Sequence, residues 1–117
     1  MLSKQFTKEV IIFKYLEDGT VKTSEDGTKE QDHSLGSFVF RRPTIKDQTH
    51  IGIERAKARK GLKTDDLDPI TLMLIEFQAR FPYLVVEAPQ DFDWENIKYD
   101  DIVAISNAFN DGMDELV

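Results

Sequence analysis

The chain has 117 residues, of which 40% are hydrophobic and 32% charged, and its formal net charge at pH 7 is −7. This length predicts a single domain, residues 1–117, with enough apolar residues to form a core. Cysteine is absent, which excludes disulfides and thiolate sites, and no apolar segment is long enough for a signal peptide or a membrane helix, so we expect a cytoplasmic protein.

The N-terminal third predicts a small antiparallel sheet or hairpin. Residues 10–16 are rich in β-branched and aromatic side chains, which favours a strand, and residues 38–41 predict another. The sequence Glu-Asp-Gly-Thr occurs twice, first at residues 17–20, and Asp-Gly favours tight turns, so this copy predicts a hairpin with residues 21–23. The second copy lies in a polar stretch with little to bury, and we expect residues 17–35 to form a mobile excursion.

A helix over residues 45–60 follows this sheet. Pro43 ends the preceding strand, and Thr44 with Asp47 resembles a capping box in which aspartate takes the place of the usual glutamate. Gly61 is suited to the position just after the helix.

Two further helices are predicted in the C-terminal half. The helix over residues 70–81 begins with Asp68 as its cap and Pro69 at its first position, and the last helix begins near residue 100. The sequence leaves open whether residues 83–88 form a helix or a strand, and a helix is favoured. The order of elements predicts an α+β fold, with a small N-terminal antiparallel sheet or hairpin followed by three to four helices.

The helix over residues 70–81 carries apolar side chains on two faces. The first face consists of Ile70, Met73, Leu74, Phe77 and Phe81. The second face consists of Leu72, Ile75 and Ala79. In a domain this small, a second apolar face predicts contact with a partner protein.

The charges are unevenly distributed along the chain. Residues 41–63 contain eight Lys and Arg against two acidic residues, whereas residues 64–117 carry a net charge of −11. This separation favours packing within the chain, association between copies, or binding of an acidic surface, although a solvated basic helix is the simpler interpretation. Nucleic-acid binding is disfavoured because no aromatic residues alternate with the basic ones.

No catalytic, cofactor or metal site is predicted. The carboxylates in residues 91–95 alternate, but a calcium loop would need glycine at Asn96 and glutamate at Ile102. His33 and His50 have no serine, cysteine or second histidine at a useful spacing. We therefore expect a protein that is not an enzyme.

Several short motifs resemble those of the tail assembly chaperones of long-tailed bacteriophages and prophages. These motifs are Phe40-Arg41-Arg42-Pro43-Thr44-Ile45-Lys46-Asp47, the basic helix through Ala56 and Gly61, Glu87-Ala88-Pro89, and Asp93-Trp94. The resemblance covers about residues 36–115. It implies a non-enzymatic α+β protein that binds the tape measure protein in the bacterial host cytoplasm and is absent from the mature virion. It also implies self-association and makes the tail tube protein another candidate partner.

The resemblance brings no catalytic residues with it. The recurrent Arg-Pro-Thr of the family corresponds to Arg42, Pro43 and Thr44, which we interpret as structural residues at the start of a helix. From helical geometry, the predicted partner-binding residues are Leu72, Ile75 and Ala79, with the cations Arg55, Arg59 and Lys60. The alternative hypotheses are a head–tail connector or tail-terminator protein that stays in the virion, and a small nucleic-acid-binding regulator acting through residues 41–63.

Overall fold

The computed structural model describes residues 4–115, which form three strands and three α-helices. Strand β1 spans Gln5–Phe13, β2 spans Gln31–Arg41 and β3 spans Val85–Glu87; α1, α2 and α3 span Ile45–Arg59, Pro69–Leu84 and Tyr99–Glu115. Short 3-10 helices occupy Thr64–Asp66 and Trp94–Asn96. The strands form one antiparallel sheet in the order β1-β2-β3, so the predicted α+β class is confirmed.

Contacts divide the described residues into two units. The first contains residues 4–6 and 39–87, and the second contains residues 7–38 and 88–115. The first unit therefore includes α1, α2 and β3, whereas the second includes α3 and the connection from β1 to β2.

Aromatic packing forms the core of the first unit. Phe40 is fully buried, and its ring centroid lies 5.5 Å from that of Phe6 and 6.4 Å from that of Phe81. Ile51 from α1 and Leu84 from the end of α2 are also buried. Helix α2 thus covers the end of β2 with the C-terminal part of its apolar surface.

The segment over residues 83–88 differs from the favoured prediction of a helix. Helix α2 continues through Pro82 to Leu84, and β3 begins at Val85. Proline lacks an N–H and interrupts the hydrogen bonds of a helix, but in the last turn it affects only one of them. Val85 then pairs with Phe40 of β2, and this long-range pairing determines the extended conformation.

The core of the second unit follows the periods expected of a strand and a helix. Val10 and Ile12 of β1 are buried two residues apart, as is typical of one face of a strand. Helix α3 buries Ile102, Ile105 and Phe109 at helical spacing.

Phe92 and Trp94 hold the connection that precedes α3. Both rings meet the buried ring of Phe38 edge to face, with centroid distances of 5.1 Å and 6.3 Å. Such edge-to-face pairs contribute about 0.5–1.5 kcal/mol beyond the area that they bury. The aromatic side chains thus anchor an otherwise polar loop.

The two Glu-Asp-Gly-Thr sequences form two successive tight turns. The N–H of Lys14 donates to the carbonyl of Glu30, that of Glu30 to the carbonyl of Lys22, and that of Lys22 to the carbonyl of Lys14, all at 2.8–2.9 Å. These three hydrogen bonds close a ring around the two turns. The stretch predicted as a polar excursion therefore has defined backbone pairing, and residues 31–35 belong to β2. Its mobility stays a prediction.

Replacing Gly36 with alanine is expected to destabilise the protein by about 1–3 kcal/mol. Gly36 has a φ of +101°, and a Cβ atom there would lie 2.7 Å from Cγ of Pro89. Gly52 is the matched control, because it is helical and has open space around its Cβ position. Gly52→Ala should stabilise α1 by about 0.5–1 kcal/mol. Urea denaturation of both variants measures the difference, and equal effects would contradict this account of Gly36.

Candidate protein-binding surface

A reciprocal pair of hydrogen bonds fixes the start of α1. The hydroxyl of Thr44 accepts from the N–H of Asp47 at 3.1 Å, and the Asp47 carboxylate accepts from the N–H of Thr44 at 2.8 Å. The predicted capping box, with aspartate in the glutamate position, is therefore confirmed.

Arg41 completes this network from the end of β2. Its Nη2 donates to the Asp47 carboxylate at 2.7 Å, and its Nε donates to the carbonyl of Tyr83 at 2.5 Å. That carbonyl lies in the last turn of α2, where backbone acceptors have no partner within the helix. One guanidinium thus joins the end of β2, the start of α1 and the end of α2.

The arginine that supports the helix start is therefore Arg41, whereas the sequence points to Arg42. Arg42 is exposed, and its backbone N–H donates to the carbonyl of Lys4 at 2.8 Å. Pro43 is half-buried between Arg42 and the cap. The signal for Arg41 is indirect: a buried aspartate at the third helical position requires a nearby cation.

Protonation of Asp47 is expected to weaken this network in acid. Burial raises the pKa of the Asp47 carboxyl, but hydrogen bonds from Thr44 and the positive charge of Arg41 outweigh burial, so the pKa lies below its ordinary value of 3.8. A carboxyl with a lower pKa in the folded state stabilises the fold above its unfolded pKa, and this stabilisation is lost as the pH falls through the folded pKa.

We therefore expect the wild-type protein to lose more unfolding free energy than Asp47→Asn when the pH falls from 7 to about 3. Urea denaturation of both proteins at the two pH values measures the two losses. Equal losses would show that Asp47 does not contribute to the acid sensitivity of the fold.

An ion pair joins α1 to α2 in the first unit. Nε and Nη2 of Arg55 each donate to one carboxylate oxygen of Glu76 at 2.6 Å. Hydrogen bonding to Glu76 raises the pKa of Arg55 above its ordinary value. Nε of Arg80 lies 3.8 Å from the same carboxylate. Arg55, predicted as a partner-binding cation, thus already has an anionic partner within the chain.

The other two predicted cations lie at the end of α1. Nε of Arg59 is buried and has no hydrogen-bond partner among residues 4–115. Lys60 is exposed and closes the helix in the left-handed conformation with a φ of 51°. Lys60 is therefore the most accessible of the three predicted cations.

Ion pairs reduce the positive field of residues 41–63. Three of the cations in this segment pair with carboxylates, namely Arg41, Arg55 and Lys57. Their carboxylate partners offset part of the positive charge of this segment.

The N-terminal half of α2 is apolar and incompletely covered. Four consecutive side chains there are half-buried, namely Leu72, Met73, Leu74 and Ile75. Ile70, which lies one turn before Leu74, is 57% exposed. Because four consecutive residues span more than one turn of a helix, the exposed parts of this apolar run lie on more than one side of α2. We call Ile70 and these four residues the α2 surface.

The C-terminal half of α2 is covered, which corrects one predicted contact residue. Ala79 is only 2% exposed, and Phe77, Phe81 and Leu84 are buried as well. Ala79 is therefore enclosed and does not reach the surface. Leu72 and Ile75 retain the exposure that a contact residue needs.

Other kinds of site find little support in the described residues. No group of three or more His, Cys, Asp or Glu side chains within residues 4–115 is placed to hold a metal ion. His50 stacks on the ring of Tyr83 with centroids 5.7 Å apart, and His33 lies 3.4 Å from the carboxylate of Asp32. None of the helices in this part of the chain has the length and apolar character needed to cross a membrane.

Comparison with known protein families, with curated proteins and with solved structures finds no match to this chain. The assignment of a function therefore depends on the geometry of the α2 surface and on the sequence motifs.

Proposed function

We propose that this chain is a non-enzymatic chaperone that binds an apolar helical segment of a client protein through the α2 surface. The observation that carries the proposal is the run of four consecutive half-buried apolar residues, 72–75, next to the exposed Ile70. Exposed apolar residues on a helix favour contact with a second helix, because a partner can cover the apolar surface that the helix's own core leaves open.

The proposed client is the tape measure protein of a long-tailed bacteriophage or prophage. The motif from Phe40 to Asp47, which resembles the tail assembly chaperones, supports this choice. In the structure its residues end β2 and start α1. The chaperone would act in the host cytoplasm and be absent from the mature virion.

Binding would combine an apolar centre with a charged rim. Burying the α2 surface contributes affinity at about 25 cal/mol per Å² of apolar area removed from water. The ion pair of Arg55 with Glu76 lies beside Ile75, and the exposed Lys60 adds an unpaired positive charge. Charged groups at a rim affect orientation and association rate more than affinity. Such a surface lets the client dissociate when a better polymerisation partner covers the same helix.

Co-expression with the tape measure protein tests the proposal. The client should stay in the soluble fraction and co-purify with this chain, whereas alone it should aggregate. A client that neither binds nor gains solubility would refute the chaperone function. Mass spectrometry of purified virions separates the proposal from the connector hypothesis, because a connector would be present in a fixed copy number.

A further inference from the structure

A groove in the second unit runs between β1 and α3. Its volume is about 190 Å³. A single water needs only about 10–15 Å³ by this measure, so the groove has room for side chains. The groove contains no residue of α1 or α2 and is thus separate from the α2 surface.

The strand residues that line the groove place it at the edge of β1. Successive side chains of a strand point to opposite faces, so the side chains that line a cavity on one face belong to alternate residues. This groove is lined by Lys8 and Ile12 and also by Glu9, Ile11 and Phe13. Residues of both parities are expected where a groove reaches the edge of a strand.

The backbone of β1 is available at this edge. The carbonyl of Lys4 accepts from the N–H of Arg42, directly after β2, and the carbonyl of Val10 accepts from the hydroxyl of Ser34 in β2. The N–H of Lys14 donates to the carbonyl of Glu30, directly before β2. Backbone groups of a strand alternate in direction, so those of Glu9, Ile11 and Phe13 point away from β2. Within residues 4–115, no other strand pairs with β1. An unpaired edge of this kind is a template for another strand.

One stripe of α3 forms the opposite wall. Asp100, Ala104, Asn107 and Asp111 line the groove at spacings of four, three and four, which places them on one face of the helix. The alanine leaves room in the middle of this wall, whereas a carboxylate lies towards each end.

The charges of the groove are predominantly negative. Lys8 is paired with Glu115 at 2.5 Å. Among the described residues, Glu9, Asp100 and Asp111 form no ion pair. A strand that carries basic side chains would complement this groove.

We propose that the groove binds an extended segment of a partner protein, which adds a strand to the edge of β1 and places basic side chains beside Asp100 and Asp111. Backbone hydrogen bonds to Glu9, Ile11 and Phe13 supply part of the affinity, and the stripe of α3 selects every second side chain of the segment. A strand edge beside a helix is a known geometry for the recognition of extended peptides. The proposal does not depend on the chaperone function.

Selection from a displayed library of random ten-residue peptides, followed by titration of the synthetic peptides, tests the proposal. We expect enriched peptides with lysine or arginine at alternate positions, and a Kd raised at least about tenfold in the double variant Asp100→Asn/Asp111→Asn. Asp114→Asn is the matched control, because Asp114 is an exposed carboxylate of α3 outside the groove, and its Kd should equal that of the wild type.

Amide exchange measured by NMR provides a second test. The N–H groups of Glu9, Ile11 and Phe13 should exchange faster than those of Val10 and Ile12 in the free protein, and the bound peptide should slow them. The proposal is wrong if Ile11 is as protected as Val10 in the free monomer, if no peptide is enriched, or if the double variant binds like the wild type. Self-association that the double variant abolishes would identify a second copy as the occupant, and would also overturn the proposal.

Discussion

Replacing Asp47 with alanine is expected to lower the free energy of unfolding by about 2–4 kcal/mol. The substitution removes the acceptor for the N–H of Thr44 and for the guanidinium of Arg41, while Arg41 keeps only its hydrogen bond to Tyr83. Loss of one partner of a buried ion pair costs about 3–5 kcal/mol, and the partial exposure of Arg41 reduces that figure. Urea denaturation at neutral pH measures the loss.

Asp68→Ala is the matched control for this prediction. Asp68 also caps a helix, since its carboxylate accepts from the N–H of Thr71 at 2.7 Å, but it is exposed and pairs with no cation among the described residues. We expect a clearly smaller loss for Asp68→Ala than for Asp47→Ala. Similar losses would mean that the contacts of Asp47 with Arg41 add nothing to an ordinary helix cap.

Truncating Leu72 and Ile75 together to alanine is expected to weaken client binding about 10–100-fold. Both side chains belong to the α2 surface and are half-buried in the free chain, so their outer parts are available to a partner. Alanine retains high helix propensity, and α2 should persist. The measurement is a titration with the client segment that co-purifies with the chain.

The double variant Leu72→Ala/Ile75→Ala must remain folded, because weaker client binding by an unfolded chain would say nothing about the α2 surface. We expect a loss of about 1–3 kcal/mol in unfolding free energy, because only the inner part of each side chain is packed. Ile45→Ala/Ile53→Ala is the matched control on α1, where the two side chains are 89% and 49% exposed, and it should bind the client like the wild type. A double variant at 72 and 75 that unfolds would place both residues in the core and remove the proposed surface.

Sequence reasoning succeeded where the determining interactions are local. Thr44 and Asp47, at the start of α1, are three residues apart, and Asp68 and Pro69, at the start of α2, are adjacent. Both helix starts could therefore be predicted from composition and spacing alone. These features depend on backbone geometry within a single turn.

Features that depend on distant pairing could not be predicted in this way. Arg41 finds the carbonyl of Tyr83, which is 42 residues away in the chain. The strand β3 has only three residues and exists because β2 lies beside it. The covering of Ala79 and the pairing of Arg55 with Glu76 also follow from how helices meet, which the period of one helix does not specify.

The ring of hydrogen bonds at the end of β1 makes the connection to β2 modular. Lys14, Lys22 and Glu30 are spaced by eight residues, and each spacing contains one Glu-Asp-Gly-Thr turn. In a chain lacking residues 22–29, Glu30 would follow Val21 and take the position of Lys22. Both backbone groups of Lys14 would then face a single residue, as in an ordinary two-stranded hairpin. The second copy thus adds one further turn of eight residues, while β2 still begins opposite the same end of β1.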